Sequence, residues 1–291
     1  MSAVILVPVL GLFWLDDQAH FGRPGLWLLP LAAVLCAAAC AELLAMFAPQ
    51  AGQPSRLVVL AGALLTTLSP AAPMLWRSYP ADCPLGRFGW TVLALTSGLV
   101  LALAVETWRF QAPGQSVVRV ALAMLVIAYV GLLLGFLLHL RLLYADRRGL
   151  LALFSLVLVV KLADTGAYFT GKTCGRHKLA PWISPGKTVE GLVGGILAAC
   201  LASWLALCVL APRAWETWRP VPAWAWISYG ATLTLAGLVG DLAESLLKRD
   251  TGHKDSGRWL PGLGGALDIL DSALVAAPVG YLWWASGMLG G

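Results

Sequence analysis

The residues of this chain that are best suited to chemistry are carboxylates lying beside Lys and Arg in two short stretches. One stretch runs from Lys161 to Gly195 and the other from Gly240 to Ser272. The rest of the chain is strongly apolar, with a mean hydropathy of +0.79 and only 12% charged residues. Charge at the edge of a bilayer is costly and usually has a function. The pattern therefore predicts a metal ion and a phosphate group held at a membrane surface.

The second stretch contains two pairs of acids with helical spacing. Asp241 and Glu244 are three residues apart at the end of one apolar segment, and Asp268 and Asp271 repeat that spacing at the start of the next. Residues three apart lie on the same face of a helix. Carboxylates without a His or Cys cluster suit Mg²⁺ better than zinc. We expect Asp241, Asp268 and Asp271 to bind Mg²⁺, whereas simple salt bridging explains poorly why two acids open an apolar helix.

Basic residues and a glycine-rich turn lie between the two acid pairs. Lys248, Arg249 and Lys254 could neutralise a polyphosphate, and Gly264-Gly265 would let backbone approach a ligand. A purely structural alternative is that Asp250 or Asp255 forms a salt bridge with Lys254, and the sequence leaves this open for some of these charges.

The first stretch has the composition of a phosphate-binding turn. Asp164 lies near the end of an apolar segment, and Ser184-Pro185-Gly186-Lys187-Thr188 leads through Glu190 into the next one. Backbone N–H groups at the start of a helix favour anions. The spacing is not that of a P-loop. Taken alone, the stretch could equally be a basic loop that contacts anionic lipid headgroups.

Long apolar stretches must position these residues. Most are long enough to cross about 30 Å of hydrocarbon. We predict an all-α polytopic membrane protein with about nine transmembrane helices and short loops. It would form a single membrane domain over 1–291, with a helical scaffold at 1–148 and catalytic helices and charged loops at 149–291. The predicted spans are roughly 2–15, 25–48, 57–76, 88–107, 118–140, 149–169, 191–211, 222–247 and 267–288.

The distribution of charge favours one orientation. Every Lys outside a span falls on the side that carries both charged stretches, which favours a cytoplasmic active face. The Cys residues show no metal-ligand pairing, and nothing in the chain indicates nucleic acid as a partner. Glu42 is the one acid deep within a span of the first half, and we interpret it as structural rather than as part of a site.

Several motifs together resemble the phosphatidate cytidylyltransferases, also called CDP-diacylglycerol synthases. In the first stretch the resemblance rests on Asp164 to Tyr168, Lys178 to Pro181, and Ser184 to Thr188 followed by Glu190-Gly191. In the second stretch the spacing of the family pattern is matched throughout, by Ser245, Lys248-Arg249, Lys254-Asp255, Gly257, Leu260-Pro261, Gly264-Gly265, Asp268 and Asp271.

The resemblance implies a reaction of CTP with phosphatidate that gives CDP-diacylglycerol and pyrophosphate. It implies Mg²⁺ as the cofactor, and a second, monovalent cation and a homodimer are left open. Asp241, Asp268, Lys187 and Lys248 are the expected catalytic residues. The expected substrate-binding residues are Ser184, Lys187, Thr188, Lys248, Arg249, Lys254, Asp255, Asp164, Glu190, Gly264 and Gly265. The location implied is a bacterial-type inner membrane with the active site facing the cytoplasm.

Two departures from the family pattern keep alternatives open. Leu263 stands where the family usually has His, and Ile269 stands where it usually has Arg. One alternative function is a CTP-dependent lipid kinase of the polyprenol or phytol type. The other is a non-catalytic lipid-binding membrane protein, or a transporter of an anionic lipid.

Overall fold

The structure, a computed structural model, describes residues 3–19, 22–47, 52–76, 78–80, 82–215, 217–253, 257 and 264–290. Within these residues, eight helical segments are long and apolar enough to cross a membrane. The prediction of an all-α polytopic membrane protein is confirmed. The first predicted span forms a helix of only 16 residues, which is too short to count among the eight.

The segments follow the apolar stretches of the sequence, but three of them change helical geometry part-way. A 3₁₀ segment continues α3, and π-helical turns continue α5 and α8. The helices are α1 (Ala3–Gln18), α2 (Leu28–Phe47), α3 (Arg56–Leu68), α4 (Gly89–Arg109), α5 (Ser116–Val126), α6 (Leu133–Leu142), α7 (Arg147–Cys174), α8 (Val189–Trp204), α9 (Ala211–Ala214), α10 (Ala223–Asp250) and α11 (Ala266–Ala285).

The chain divides into two compact units. The first comprises Met1–Leu142 and Asp250–Ile269, and the second comprises Leu143–Arg249 and Leu270–Gly291. In the first unit, α3 packs against α2 and α4. A buried ion pair joins two of its helices, with Arg141 Nε 2.6 Å from Asp16 Oδ2. Asp16 also accepts a hydrogen bond of 2.7 Å from the backbone N–H of Gly25, so α1 is tied to the chain that leads into α2.

In the second unit, α7 and α8 cross closely because glycines line the crossing. A Cβ added at Gly191 would lie 2.9 Å from the carbonyl oxygen of Ala167, and one added at Gly194 would collide with Thr170. Small residues let membrane helices approach in this way. The close crossing fixes the chain between the two helices, where the first charged stretch lies.

The chain between α7 and α8 folds into a short hairpin that the sequence did not predict. Its antiparallel strands are β1 (Lys178–Ala180) and β2 (Ser184–Thr188), with Lys178 opposite Thr188 and Ala180 opposite Ser184. Pro185 and Gly186 are poor strand formers, which explains why the pattern gave no strand signal.

Two more close helix contacts in the second unit place the second charged stretch. A Cβ added at Gly230 of α10 would lie 2.9 Å from the backbone of Ala199 in α8. Further along α10, one added at Gly240 would collide with the carbonyl oxygen of Asp271 in α11. The segment of α10 that begins at Asp241 is therefore held directly beside Asp271.

Candidate functional site

The hairpin and α10 are joined by an ion pair between two predicted site residues, one from each charged stretch. Lys187 Nζ of β2 lies 2.5 Å from Asp241 Oδ2 of α10. Ser245 Oγ lies 3.4 Å from the other oxygen of Asp241. The predicted phosphate ligand and the predicted metal ligand are thus direct partners in the structure.

Three more charged side chains of the second unit surround this pair. Lys161 Nζ lies 3.5 Å from Asp164 Oδ2, one helical turn away on α7. Asp164 interacts electrostatically with both Asp241 and Lys187. Asp271 interacts electrostatically with Asp241, Asp164 and Lys161. The structure therefore brings three carboxylates and two ammonium groups into one cluster. We call it the charged cluster: Lys161, Asp164, Lys187, Asp241 and Asp271.

Lys161 is the member of this cluster to which the sequence assigned no role. It is a lone Lys within an apolar span, three residues before a candidate acid. A cation in such a position needs a partner, since charge inside a membrane is otherwise costly. The three-residue spacing between Lys161 and Asp164 is the feature of the sequence that could have identified Lys161 as part of the site.

The end of α10 carries the two other basic candidates that the structure describes. Lys248 Nζ lies 3.1 Å from Glu244 Oε2, and Glu244 is buried. Arg249 Nε donates to the carbonyl oxygen of Ile183, between the two strands, at 3.4 Å. Arg249 thereby links the end of α10 to the hairpin that carries Lys187.

Two candidate substrate-binding residues of the first stretch, Thr188 and Glu190, form hydrogen bonds that stabilise the local backbone. Thr188 is the N-cap of α8, and its hydroxyl accepts a hydrogen bond of 3.1 Å from the N–H of Gly191. Glu190 accepts hydrogen bonds from the backbone N–H groups of Arg176 and His177, and its Oε1 lies 2.6 Å from His177 Nδ1. These contacts hold the chain that leads from α7 into the hairpin.

Asp268, Gly264 and Gly265 belong to the first unit. Asp268 Oδ2 accepts a hydrogen bond of 2.7 Å from the N–H of Gly265, which caps the start of α11. Gly264 has a φ of +83°, a conformation that glycine adopts easily. Glu42 of α2 accepts hydrogen bonds from the N–H groups of Ala266 and Leu267, at 2.8 and 3.0 Å. These two hydrogen bonds give Glu42 a structural role at the start of α11.

Five positions of the family pattern lie outside the described residues: Lys254, Asp255, Leu260, Pro261 and Leu263. Ile269 is described and lies half-buried in the first turn of α11.

The donor chemistry of the site fits Mg²⁺, the ion implied by the resemblance. Within the described ranges, no three His, Cys, Asp or Glu side chains converge closely enough to enclose an ion by themselves. Mg²⁺ does not need such a cage, because it is usually bound by one or two carboxylates with waters and substrate phosphates. Asp241 and Asp271 repel each other electrostatically, and a divalent cation would relieve that repulsion.

Comparison with known proteins identifies the family of this chain. The model of the cytidylyltransferase family matches residues 1–286. The chain belongs to the cytidylyltransferase family. The resemblance carried by the two charged stretches is therefore confirmed over almost the whole chain, including the first half, where the motifs gave little support.

The relatives include bacterial phosphatidate cytidylyltransferases. The enzyme of Staphylococcus aureus (strain COL) is 38% identical over 192 residues, which cover 65% of this chain and 68% of that protein. The enzyme of Staphylococcus saprophyticus is 41% identical over 160 residues, covering 55% of this chain and 56% of that protein. The uncharacterized protein YnbB of Escherichia coli (strain K12) is 30% identical over 267 residues, covering 90% of this chain and 70% of that protein.

Proposed function

We infer that this membrane protein is a phosphatidate cytidylyltransferase, which makes CDP-diacylglycerol and pyrophosphate from CTP and phosphatidate. The observation that carries the inference is the family match over residues 1–286, in a chain whose charged cluster lies among membrane-spanning helices. Relatives of that name share 38–41% of their residues with it over the matched regions. A lipid substrate suits a site of this kind, because phosphatidate presents its phosphate at the membrane surface.

The reaction is a nucleotidyl transfer at the α-phosphorus of CTP. A phosphate oxygen of phosphatidate attacks that phosphorus, a new P–O bond forms, and the bond between the α-phosphorus and the bridging oxygen breaks. The electron pair of the broken bond leaves with pyrophosphate. Such reactions need little covalent help from a protein, since positioning and charge neutralisation provide most of the rate.

The basic side chains hold the phosphates in this proposal. Lys187 and Lys248 bind and neutralise the triphosphate, and Arg249 and Lys254 contribute further positive charge. Lys187 and Lys248 each form an ion pair with an acid, Lys187 with Asp241 and Lys248 with Glu244. Substrate phosphates would compete with these acids for the two ammonium groups. Ser184, Thr188, Gly264 and Gly265 contribute polar or close backbone contacts, and Asp255 assists Lys254.

Asp241, Asp268 and Asp271 are the proposed ligands of Mg²⁺. When bound, the ion would offset the negative charge that accumulates on the reacting phosphates. Asp164 and Glu190 orient basic groups, as Asp164 does for Lys161 and Glu190 does for His177. Asp164 and Glu190 would alternatively orient the second, monovalent cation that the resemblance leaves open, and Lys161 supplies a positive charge beside Asp164.

The protein is an integral membrane protein, and we place its active site on the cytoplasmic side of a bacterial inner membrane. The distribution of Lys supports that orientation. CTP is made in the cytoplasm, so the proposed substrate requires the same side. A homodimer remains an expectation from the resemblance.

The proposal is tested with purified protein, phosphatidate, Mg²⁺ and CTP labelled at either the α- or the γ-phosphate. A cytidylyltransferase transfers the α-label to lipid and releases the γ-label as pyrophosphate. A CTP-dependent kinase would instead transfer the γ-label, and a non-catalytic lipid-binding protein would transfer neither. Asp268→Asn should abolish turnover, and full activity in this variant would refute the metal assignment.

A further inference from the structure

The start of α11 is capped by a side chain from a distant helix. Glu42 Oε1 accepts from the N–H of Ala266 at 2.8 Å, and Glu42 Oε2 accepts from the N–H of Leu267 at 3.0 Å. Both carboxylate oxygens of one residue are thus used on consecutive backbone groups, 224 and 225 positions further along the chain. A helix leaves its first four N–H groups without partners inside the helix, and these are the groups that Glu42 meets.

The local sequence explains why a distant cap is needed. The residue before Ala266 is Gly265, which has no side chain to act as an N-cap. Asp268 meets the N–H of Gly265 instead, at 2.7 Å. The first turn of α11 is therefore held by two acids, Glu42 from outside and Asp268 from within. Negative charge at a helix N-terminus is also favoured by the helix dipole.

The same carboxylate also lies where a side chain at residue 257, in the chain between α10 and α11, would have to go. A Cβ added at Gly257 would lie 2.7 Å from Glu42 Oε1. Only a residue without a side chain allows the backbone to pass so close to the carboxylate. Glu42 therefore lies beside both residue 257 and the start of the helix that carries Asp268.

We propose that Glu42 is a positioning residue for the nucleotidyl transfer, acting through the first turn of α11 to fix the direction of Asp268. This inference rests on the proposed function, since Asp268 is the metal ligand assigned there. Asp268 lies one residue after the second N–H that Glu42 binds, so a shift of that turn moves its carboxylate directly. Misplacement of a catalytic group by about 1 Å can cost about 100-fold in rate.

The test compares Glu42→Ala, Glu42→Gln and a matched control in the purified full-length protein. Glu106→Gln serves as the control, because Glu106 is another buried acid of the first unit and pairs with Arg119 at 2.6 Å and Arg109 at 3.0 Å. Glu42→Ala should lower kcat about 100-fold and raise the half-saturating Mg²⁺ concentration about tenfold, with KM for CTP changed less than threefold. Glu42→Gln keeps one acceptor oxygen and should recover about tenfold of the lost kcat.

Hydrogen exchange provides a readout that does not depend on turnover. Amides 266 and 267 should exchange at least tenfold faster in Glu42→Ala than in the parent protein, and at the parent rate in Glu106→Gln. If Glu42→Ala does not fold, the same exchange and Mg²⁺ measurements on Glu42→Gln decide the question. Parent-like exchange together with parent-like Mg²⁺ dependence would overturn the inference. If the parent protein is inactive but exchange is fast in Glu42→Ala, the proposed function is refuted. Glu42 would then be a structural cap of α11 with no part in nucleotidyl transfer.

Discussion

Lys187 and Asp241 form a direct ion pair, with Nζ and Oδ2 2.5 Å apart, although 54 positions separate them in the chain. The sequence predicts Lys187 as a phosphate ligand and Asp241 as a metal ligand. Their contact means that each is held in place by the other before substrate arrives. The proposed reaction requires this ion pair to loosen, because Lys187 would bind the triphosphate and Asp241 would hold Mg²⁺.

We expect Lys187→Gln to lower kcat/KM for CTP roughly 100-fold, as happens when one charge-stabilising donor is lost from an active site. Asp241→Asn should lower kcat at least as much. The double variant should be far less impaired than the product of the two single losses, because residues that act as a unit are not additive. Radiolabelled CTP turnover measures all three. Strictly multiplicative losses would show that the ion pair has no part in catalysis.

Lys161 provides a second test of the charged cluster. Lys161→Met removes the ammonium group 3.5 Å from Asp164 and leaves the neighbouring carboxylates to repel one another. We expect activity to fall about tenfold, equivalent to about 1.4 kcal/mol in the barrier. Added K⁺ or Na⁺ should restore part of the loss if a monovalent cation can occupy the vacated volume.

The control for this prediction is Lys172→Met. Lys172 lies in the last turn of the same helix, and its ammonium lies over the ring of Tyr168. Its activity should stay within about twofold of the parent at all salt concentrations. Equal salt dependence in both variants would indicate a general effect of charge at the membrane surface and would contradict the assignment of Lys161.

Much of this arrangement was predictable from sequence, and the missing part has a physical cause. Apolar run lengths gave the spans, and the positions of the acids placed Asp241 towards the end of α10 and Asp268 at the start of α11. Hydropathy does not say which helix faces meet, because that is decided by close packing at glycines such as Gly194 and Gly240. The partners of Glu42 and Asp241 could therefore not be read from the chain. The hairpin was missed because Pro185 and Gly186 contradict strand propensity.

The buried pair of Asp16 and Arg141 predicts a large loss of stability. Arg141→Met would leave Asp16 buried, with its 2.6 Å partner removed. Breaking a buried ion pair from one side costs about 3–5 kcal/mol. The variant should therefore unfold at lower temperature, as measured by thermal denaturation in detergent. Asp16→Asn combined with Arg141→Met should recover part of the loss, because no uncompensated buried charge remains. A midpoint unchanged in Arg141→Met would contradict the role given to this pair.

The two departures from the family pattern give the last prediction. We expect the parent protein to be active despite Leu263 and Ile269, because the charged cluster, Lys248 and Arg249 are all present. Ile269→Arg adds a cation to the first turn of α11, beside Asp268. It should raise kcat/KM for CTP about tenfold, the value of roughly one charge-assisted hydrogen bond to phosphate. Leu263→His should give a smaller gain, and Ile269→Met is the neutral control. If kcat/KM is unchanged in Ile269→Arg, the triphosphate is bound fully by the existing basic residues, and the departure is compensated.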